Sequence, residues 1–363
     1  MYRTSSKALA KKNPRVAAST ATFSFADGGF WEWLLAQHEF RKGISKKGFF
    51  LVERKTITST FKRHWQEYRQ QAHNRHNKFS VFSEDHDFRN PSNIPSSFSI
   101  DFYSQMPRPL RSNHLYIVPS GGGNCIVFDS QVFPPPYLDP SIQNASAVPL
   151  PISIRKGFRN LREALSFQWN EQSFIRALHF CGAFVEVSKR VCKTTGDYQC
   201  GPSGHIRSCF PFWMRDVKRK NRLFRFVYDG IVDLDECIYP RDVNTVMLIE
   251  AKIRSDQSDL GWHKLAFPCY RFIDNSRAIG VFRTGSSEMV PSFANGARII
   301  PMYCEFNPVR KLASIYVFSE IRKRRFLSEF DDFRRGIILN QTLQFRPRLI
   351  FKVDMNWIDQ DFP

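Results

Sequence analysis

Val246-Met247-Leu248-Ile249-Glu250-Ala251-Lys252 decides how this chain is read. Four apolar residues in a row mark a buried strand, and the run ends in an acid and a base separated only by alanine. Side chains alternate along a strand, so Glu250 and Lys252 project to one side. Two charges at the end of a buried run are costly unless something there requires them. Fifteen residues before Glu250 stands Asp235, in Ile231-Val232-Asp233-Leu234-Asp235. That stretch also alternates, with Ile231, Asp233 and Asp235 on one side and Val232 and Leu234 on the other. If the two strands pair, two or three carboxylates and an ammonium meet at one spot.

Such a group suits hydrolysis of a phosphodiester with the help of a divalent cation. Mg²⁺ takes oxygen ligands, which Asp235 and Glu250 supply. A bound cation of this kind polarises the phosphate and lowers the pKa of a water. Lys252 beside it would orient or help deprotonate that water and offset the charge building on phosphorus. An acidic strand is ordinarily a solvated edge, and Glu-x-Lys alone is common by chance. The apolar run, the upstream aspartate and the basic chain around them tip the balance towards a site.

The chain has 363 residues, with 53 Lys and Arg against 34 Asp and Glu, a net charge of +19. Hydrophobic residues make up 42 % and include 35 Phe, which excludes a wholly disordered basic tail. No run of eighteen apolar residues occurs, so a membrane-spanning helix is not expected. The surplus charge points to a polyanion, most simply nucleic acid. It is clustered: Arg215, Lys218, Arg219, Lys220, Arg222 and Arg225 crowd before the acidic strand, and Arg322-Lys323-Arg324-Arg325 lie after the core. Either cluster is a candidate phosphate track. The 8 cysteines form no CxxC pair, and Cys192, Cys200 and Cys209 are spaced more widely than zinc knuckles. Buried free thiols are expected, as in a reducing cytoplasm.

Four segments are expected. Residues 1–28 read as a flexible basic arm, although an acid-poor stretch of this kind also resembles an organelle transit peptide. Residues 29–133 read as a small α+β module: a helix at 30–35, a strand at 48–52, a basic helix at 59–75, and a strand pair at 115–118 and 125–128. Short helices followed by a hairpin suit a winged-helix-like DNA-binding domain. Gly121-Gly122-Gly123 lacks the GK[ST] ending of a phosphate loop and reads as a hairpin tip. His73-Asn74-Arg75-His76 reads as solvated surface. The Pro-rich stretch 134–154 reads as a linker. Residues 155–363 read as an α/β domain: helices over 159–184 broken near 168–170, strands at 224–228, 231–236, 246–253, 279–282, 299–306 and 313–318, and a helix from Asp259.

Asp235…Glu250-Ala251-Lys252 resembles the signature of the PD-(D/E)xK nucleases, the restriction-endonuclease-like superfamily. The chain resembles in particular a group of prokaryotic type II restriction-endonuclease-like proteins. Their catalytic half runs from a helix opened by Glu, through a Gly-Arg-type turn, an acidic strand and an I-E-A-K strand, to an aromatic-Pro segment. Here Asn170-Glu171-Gln172-Ser173-Phe174, Gly204-His205-Ile206-Arg207 and the stretch from Asp259 to Phe267-Pro268 take those places, and residues 82–128 faintly match the N-terminal half. The resemblance implies a mixed sheet flanked by helices, metal ligation by Asp235 and Glu250, a catalytic Lys252 and a supporting acid at Glu171. It implies Mg²⁺, with Mn²⁺ as substitute. The literal Pro-Asp is absent, so Asp233 is an alternative ligand to Asp235. Lys264, with His263 beside it, stands where the group often has Gln, and a cation there could hold a phosphate.

The function so implied is a cytoplasmic type II restriction enzyme on double-stranded DNA. It would be a homodimer if its site is palindromic, partnered in function by a methyltransferase. A repair or recombination nuclease of the same fold and a non-catalytic DNA-binding protein are the alternatives.

Overall fold

Gly29 donates its N–H to the Glu32 carboxylate at 3.0 Å, and the next seven residues form α1 (Phe30–Ala36), which buries Phe30, Trp31, Trp33 and Leu34. The computed structural model describes residues 29–75, 98, 100–139, 146–153, 170–201, 203–220, 222–254, 259–274, 298–322, 337–340 and 346–359. The basic arm 1–28, the stretch 159–169, the strand at 279–282 and Lys323-Arg324-Arg325 lie outside them.

After α2 (His38–Lys47) the chain turns at Gly48, in the left-handed region, into β1 (Phe49–Val52) and the long α3 (Arg54–Arg75). A short α4 (Arg108–Ser112) leads to the hairpin β2 (Leu115–Gly121) and β3 (Asn124–Asp129). These strands make an antiparallel sheet in the order β1-β3-β2. The hairpin turns on Gly122 and Gly123, with φ of 60° and 79°, which only glycine adopts freely in succession. The triglycine is thus a hairpin tip.

The described part of 134–154, residues 134–139 and 146–153, is tied to the body. Tyr137 bridges to Gly261, Leu138 donates its N–H to the Leu260 carbonyl, and β4 (Val148–Pro149) is an edge strand. Asn170 then caps α5 (Glu171–Phe180) by accepting the Ser173 N–H at 2.8 Å, and Gly182 separates it from α6 (Ala183–Cys192). Of the break expected near 168–170 only Asn170, the cap, lies within the described residues, and the two described helices part at Gly182.

The next elements are β5 (Tyr198–Cys200), the long ribbon β6 (Gly204–Asp216) and β7 (Arg222–Leu234), then β8 (Glu236–Pro240) and β9 (Thr245–Ile253). The last described elements are α7 (His263–Asp274), β10 (Arg298–Asn307), β11 (Leu312–Val317), the short β12 (Ile321–Arg322) and β13 (Ile337–Ile338), and β14 (Leu349–Asp354). Helix α7 starts four residues later than expected, because Asp259 instead accepts from Ser104 N–H at 2.5 Å and from Arg254 at 2.9 Å.

The main sheet runs β4-β14-β11-β10-β9-β8-β5, with β12 on β10. It is mixed: β9 and β10 are parallel, and β8 is antiparallel to β9. Helices α5 and α6 cover one face through Phe174, Leu178 and Phe184 against Ile249, Ala251 and Met302. Cys269 and Phe272 of α7 cover Val246, Leu248 and Ile299 on the other. A further apolar core joins α1, the N-terminal sheet, the ribbon and α7, so the chain before 134 and the chain after 155 share one interior.

The expected pairing of 231–236 with 246–253 does not occur. Strand β7 pairs with β6 along its whole length, and it is β8 that pairs with β9, with Glu236 opposite Ile249. Asp235 sits at the bend between β7 and β8. The described cysteines are unpaired, and six of the eight are buried; Cys200 and Cys209 are exposed. Among the described residues no helix is long and apolar enough to cross a membrane.

Candidate active site

Lys252 is the hub of the candidate site. Its Nζ lies 2.9 Å from Glu250 Oε1, 2.9 Å from Glu171 Oε1 and 3.9 Å from Asp235 Oδ2. Each partner arrives by a different route. Glu250 stands two residues before Lys252 on the same face of β9, and Glu171 is the first residue of α5. Asp235 is turned in by the bend after β7, where Oδ2 accepts the Ala251 N–H at 2.7 Å. A second ammonium comes from α7: Lys264 Nζ lies 3.4 Å from Glu250 Oε1 and 3.6 Å from Asp101 Oδ1.

The cluster is closed at one end and open at the other. The Glu250 side chain is 3 % exposed and that of Glu171 41 %. Burial pushes the Glu250 and Asp235 carboxyls above the ordinary carboxylate range, against the pull of the nearby ammonium groups. Burial alone would lower Lys252, but Glu250, Asp235 and Glu171 push it well above the usual lysine value. Glu250 and Asp101 raise Lys264 in the same way, also against burial. Lys252 is therefore an ammonium in this arrangement, suited to orienting and charge-balancing.

Glu171, Asp235 and Glu250 offer oxygen only, the chemistry a hard divalent cation takes. As placed, they close on the Lys252 ammonium, and among the described residues their oxygens do not gather within 4.8 Å of one another, so a cation would have to draw them together.

The expected residues divide. Asp235, Glu250, Lys252, Glu171 and Lys264 come together. Asp233 does not: it lies on the exposed face of the ribbon, with Oδ1 2.6 Å from His205 Nδ1. The alternation expected for 231–235 holds up to Leu234, and the bend then rotates Asp235 away from the side of Asp233. Lys264 faces Glu250 and Asp101, which differs from the expected phosphate contact. His263 cannot contact a phosphate from its place. Its ring is buried, neither nitrogen finds a hydrogen-bond partner among the described residues, and burial lowers its pKa to about 3.

That burial has a measurable consequence. An unfolded histidine titrates near 6.5 and this one near 3, so below about pH 6.5 the unfolded state takes up a proton that the folded state refuses. Stability is lost as pH falls through that window and is unaffected by this group above it. Between pH 7 and pH 5 the loss from this residue is about 2 kcal/mol. The melting temperature of the parent should therefore fall relative to that of His263→Leu as pH drops from 7 to 5. Parallel curves would contradict the assignment.

Lys218, Lys220 and Arg222 are exposed at the turn of the ribbon, with Arg219 partly tied down through a 2.6 Å hydrogen bond to the Lys46 carbonyl. They adjoin Asp235 in sequence but not in space. Thirteen residues of strand at about 3.3 Å each put the turn roughly 40 Å along the ribbon from the carboxylates. Asp101 was not foreseen. It lies between buried Ile100 and Phe102, and its role depends on Phe102 bridging to Leu260 beside α7, a contact with no local sequence signal.

No protein-family model matches the chain, and no curated protein or solved structure is significantly similar to it.

Proposed function

We propose that the chain is a metal-dependent phosphodiesterase acting on DNA. More particularly, we read it as a type II restriction endonuclease of the PD-(D/E)xK kind, cutting double-stranded DNA with Mg²⁺, or Mn²⁺ in its place. The observation that carries this reading is the meeting of Glu171, Asp235 and Glu250, from three separate elements, around the ammonium of Lys252. The mixed sheet with parallel β9 and β10 and a helix bearing Glu171 at its start supports the restriction-endonuclease-like fold.

On this reading Asp235 and Glu250 hold the cation, and Glu171 at the open edge supports it. When bound, the cation supplies charge for the phosphate and an acidified water. Lys252 orients the attacking water and offsets negative charge as the phosphodiester is opened. Lys264 pulls the Glu250 carboxyl towards its charged form, against burial, and aims it, while Asp101 holds Lys264 in place. The N-terminal unit, with order β1-β3-β2 and the basic α3, is read as winged-helix-like and DNA-binding. The cations at the ribbon turn, roughly 40 Å away, would meet the duplex about one helical turn from the cut. A homodimer would cut both strands, and a cognate methyltransferase would protect the host's sites.

Because Asp233 stands outside the cluster, Asp233→Asn should keep activity within about twofold of the parent, as for an ordinary surface change. Loss of cutting in that variant would make Asp233 the ligand. The reading as a whole is tested by incubating the protein with unmethylated phage DNA and Mg²⁺. Discrete fragments are expected; cutting confined to branched or flapped DNA would replace the restriction reading by a repair one.

A further inference from the structure

A second constellation lies at the other end of α5. His179 is in the last turn of that helix, Cys200 ends β5 and Glu236 begins β8. Their donor atoms all fall within 4.8 Å of one another. Glu236 Oε2 lies 3.2 Å from His179 Nε2, and Cys200 Sγ lies 3.9 Å from the same nitrogen. A ring nitrogen has one proton or one lone pair, yet here a carboxylate and a thiol converge on it. Both are held there. Glu236 Oε1 accepts the Cys237 N–H at 2.8 Å, which leaves Oε2 aimed at the imidazole, and the pairing of β5 with β8 brings Cys200 in. The other ring nitrogen, Nδ1, is 2.8 Å from the Tyr198 hydroxyl, which fixes the ring with Nε2 facing the thiol and the acid.

We propose that His179, Cys200 and Glu236 form a second metal site, separate from the carboxylates around Lys252, that takes a borderline-soft divalent ion, Zn²⁺ above all. The donor set is mixed sulfur, nitrogen and oxygen, which zinc accepts and Mg²⁺ does not. A tetrahedral zinc with ordinary bond lengths separates its donors by roughly 3.3–3.6 Å, close to the 3.2 and 3.9 Å present without it. Tyr198 supplies the outer-shell hydrogen bond that orients ligating histidines. Cys200 is exposed, so the fourth position is open to water.

The place of the site gives it a role. Helix α5 begins with Glu171, about 12 Å from His179 along the axis, and Glu236 directly follows Asp235. An ion joining α5, β5 and β8 braces the two elements that bring these acids to Lys252.

The test uses the full chain stripped with a chelator and titrated with Co²⁺ and then Zn²⁺. The expected result is one tightly bound ion per chain, a thiolate-to-cobalt charge-transfer band, and a higher melting temperature with Zn²⁺. Cys200→Ser, at an exposed position that does not threaten the fold, should abolish the band and weaken Zn²⁺ binding at least about 100-fold. Tyr198→Phe should keep the band and weaken binding about tenfold. Glu250→Gln should change neither. Absence of the band in the parent, its survival in Cys200→Ser, or loss of Zn²⁺ binding in Glu250→Gln with retention in Cys200→Ser would each overturn the proposal. The last result would assign the ion to the acidic cluster.

Discussion

Glu250→Gln is expected to lower Mg²⁺-dependent DNA cleavage by about 10³-fold or more while DNA binding stays within about twofold. Glu250 is the most buried acid of the cluster and the one that touches both ammonium groups, at 2.9 and 3.4 Å. The amide keeps the volume but removes the charge that faces Lys252 and Lys264 and that, on the proposed reading, would hold a cation. On the proposed reading phosphate contacts set affinity for DNA and lie on the basic surfaces, so binding should survive. Removing a buried charge from a paired group also costs stability, on the order of 3 kcal/mol. A thermal melt alongside the cleavage and gel-shift assays therefore separates loss of chemistry from loss of fold. Cleavage within tenfold of the parent by a folded Glu250→Gln protein would remove Glu250 from the mechanism.

Gly121→Ala should be the most destabilising glycine-to-alanine change among the described residues, by about 3 kcal/mol or more. Gly121 has φ +88°, and a Cβ there would lie 2.1 Å from the Asp229 carbonyl oxygen and 2.6 Å from Gly230 N. Gly230 is the reciprocal partner: a Cβ on it would lie 2.6 Å from Gly121 Cα. Two backbones cross here without side chains between them, fastening the N-terminal sheet to the ribbon. No side chain can swing away to relieve the clash. Gly122→Ala, whose Cβ would meet only atoms 3.7 Å and farther, carries the φ +60° penalty alone and should cost about 1–2 kcal/mol. Equal melting temperatures for the two variants would contradict the close crossing.

The cluster around Lys252 was legible because strand alternation is local. Glu250 and Lys252 share a face by periodicity alone, and the apolar run before them identified the strand. Glu171 came from the resemblance, and its helix start shows in Asn170 and the acid of the first turn. The pairing of strands was not legible. A run of alternating residues from 222 to 234 looks the same whether its partner is β6 or β9, and no residue type announces the bend at Asp235. That bend separates Asp233 from Asp235, which alternation had placed together. Asp101 and the burial of His263 depend on how the segments at 98–106 and 259–264 meet, a long-range contact with no periodic trace. The basic residues at 218–222 were legible as a cluster, but their distance from the carboxylates follows from the length of the ribbon.

The most direct test of the central claim is nicking of supercoiled DNA by the purified chain, with Mg²⁺ or with excess chelator, beside Lys252→Ala. Cutting by the parent that requires Mg²⁺ and disappears in a folded Lys252→Ala protein is the predicted result. Parent protein that leaves the DNA intact under every divalent cation tried, or a Lys252→Ala variant that cuts as fast as the parent, would contradict it.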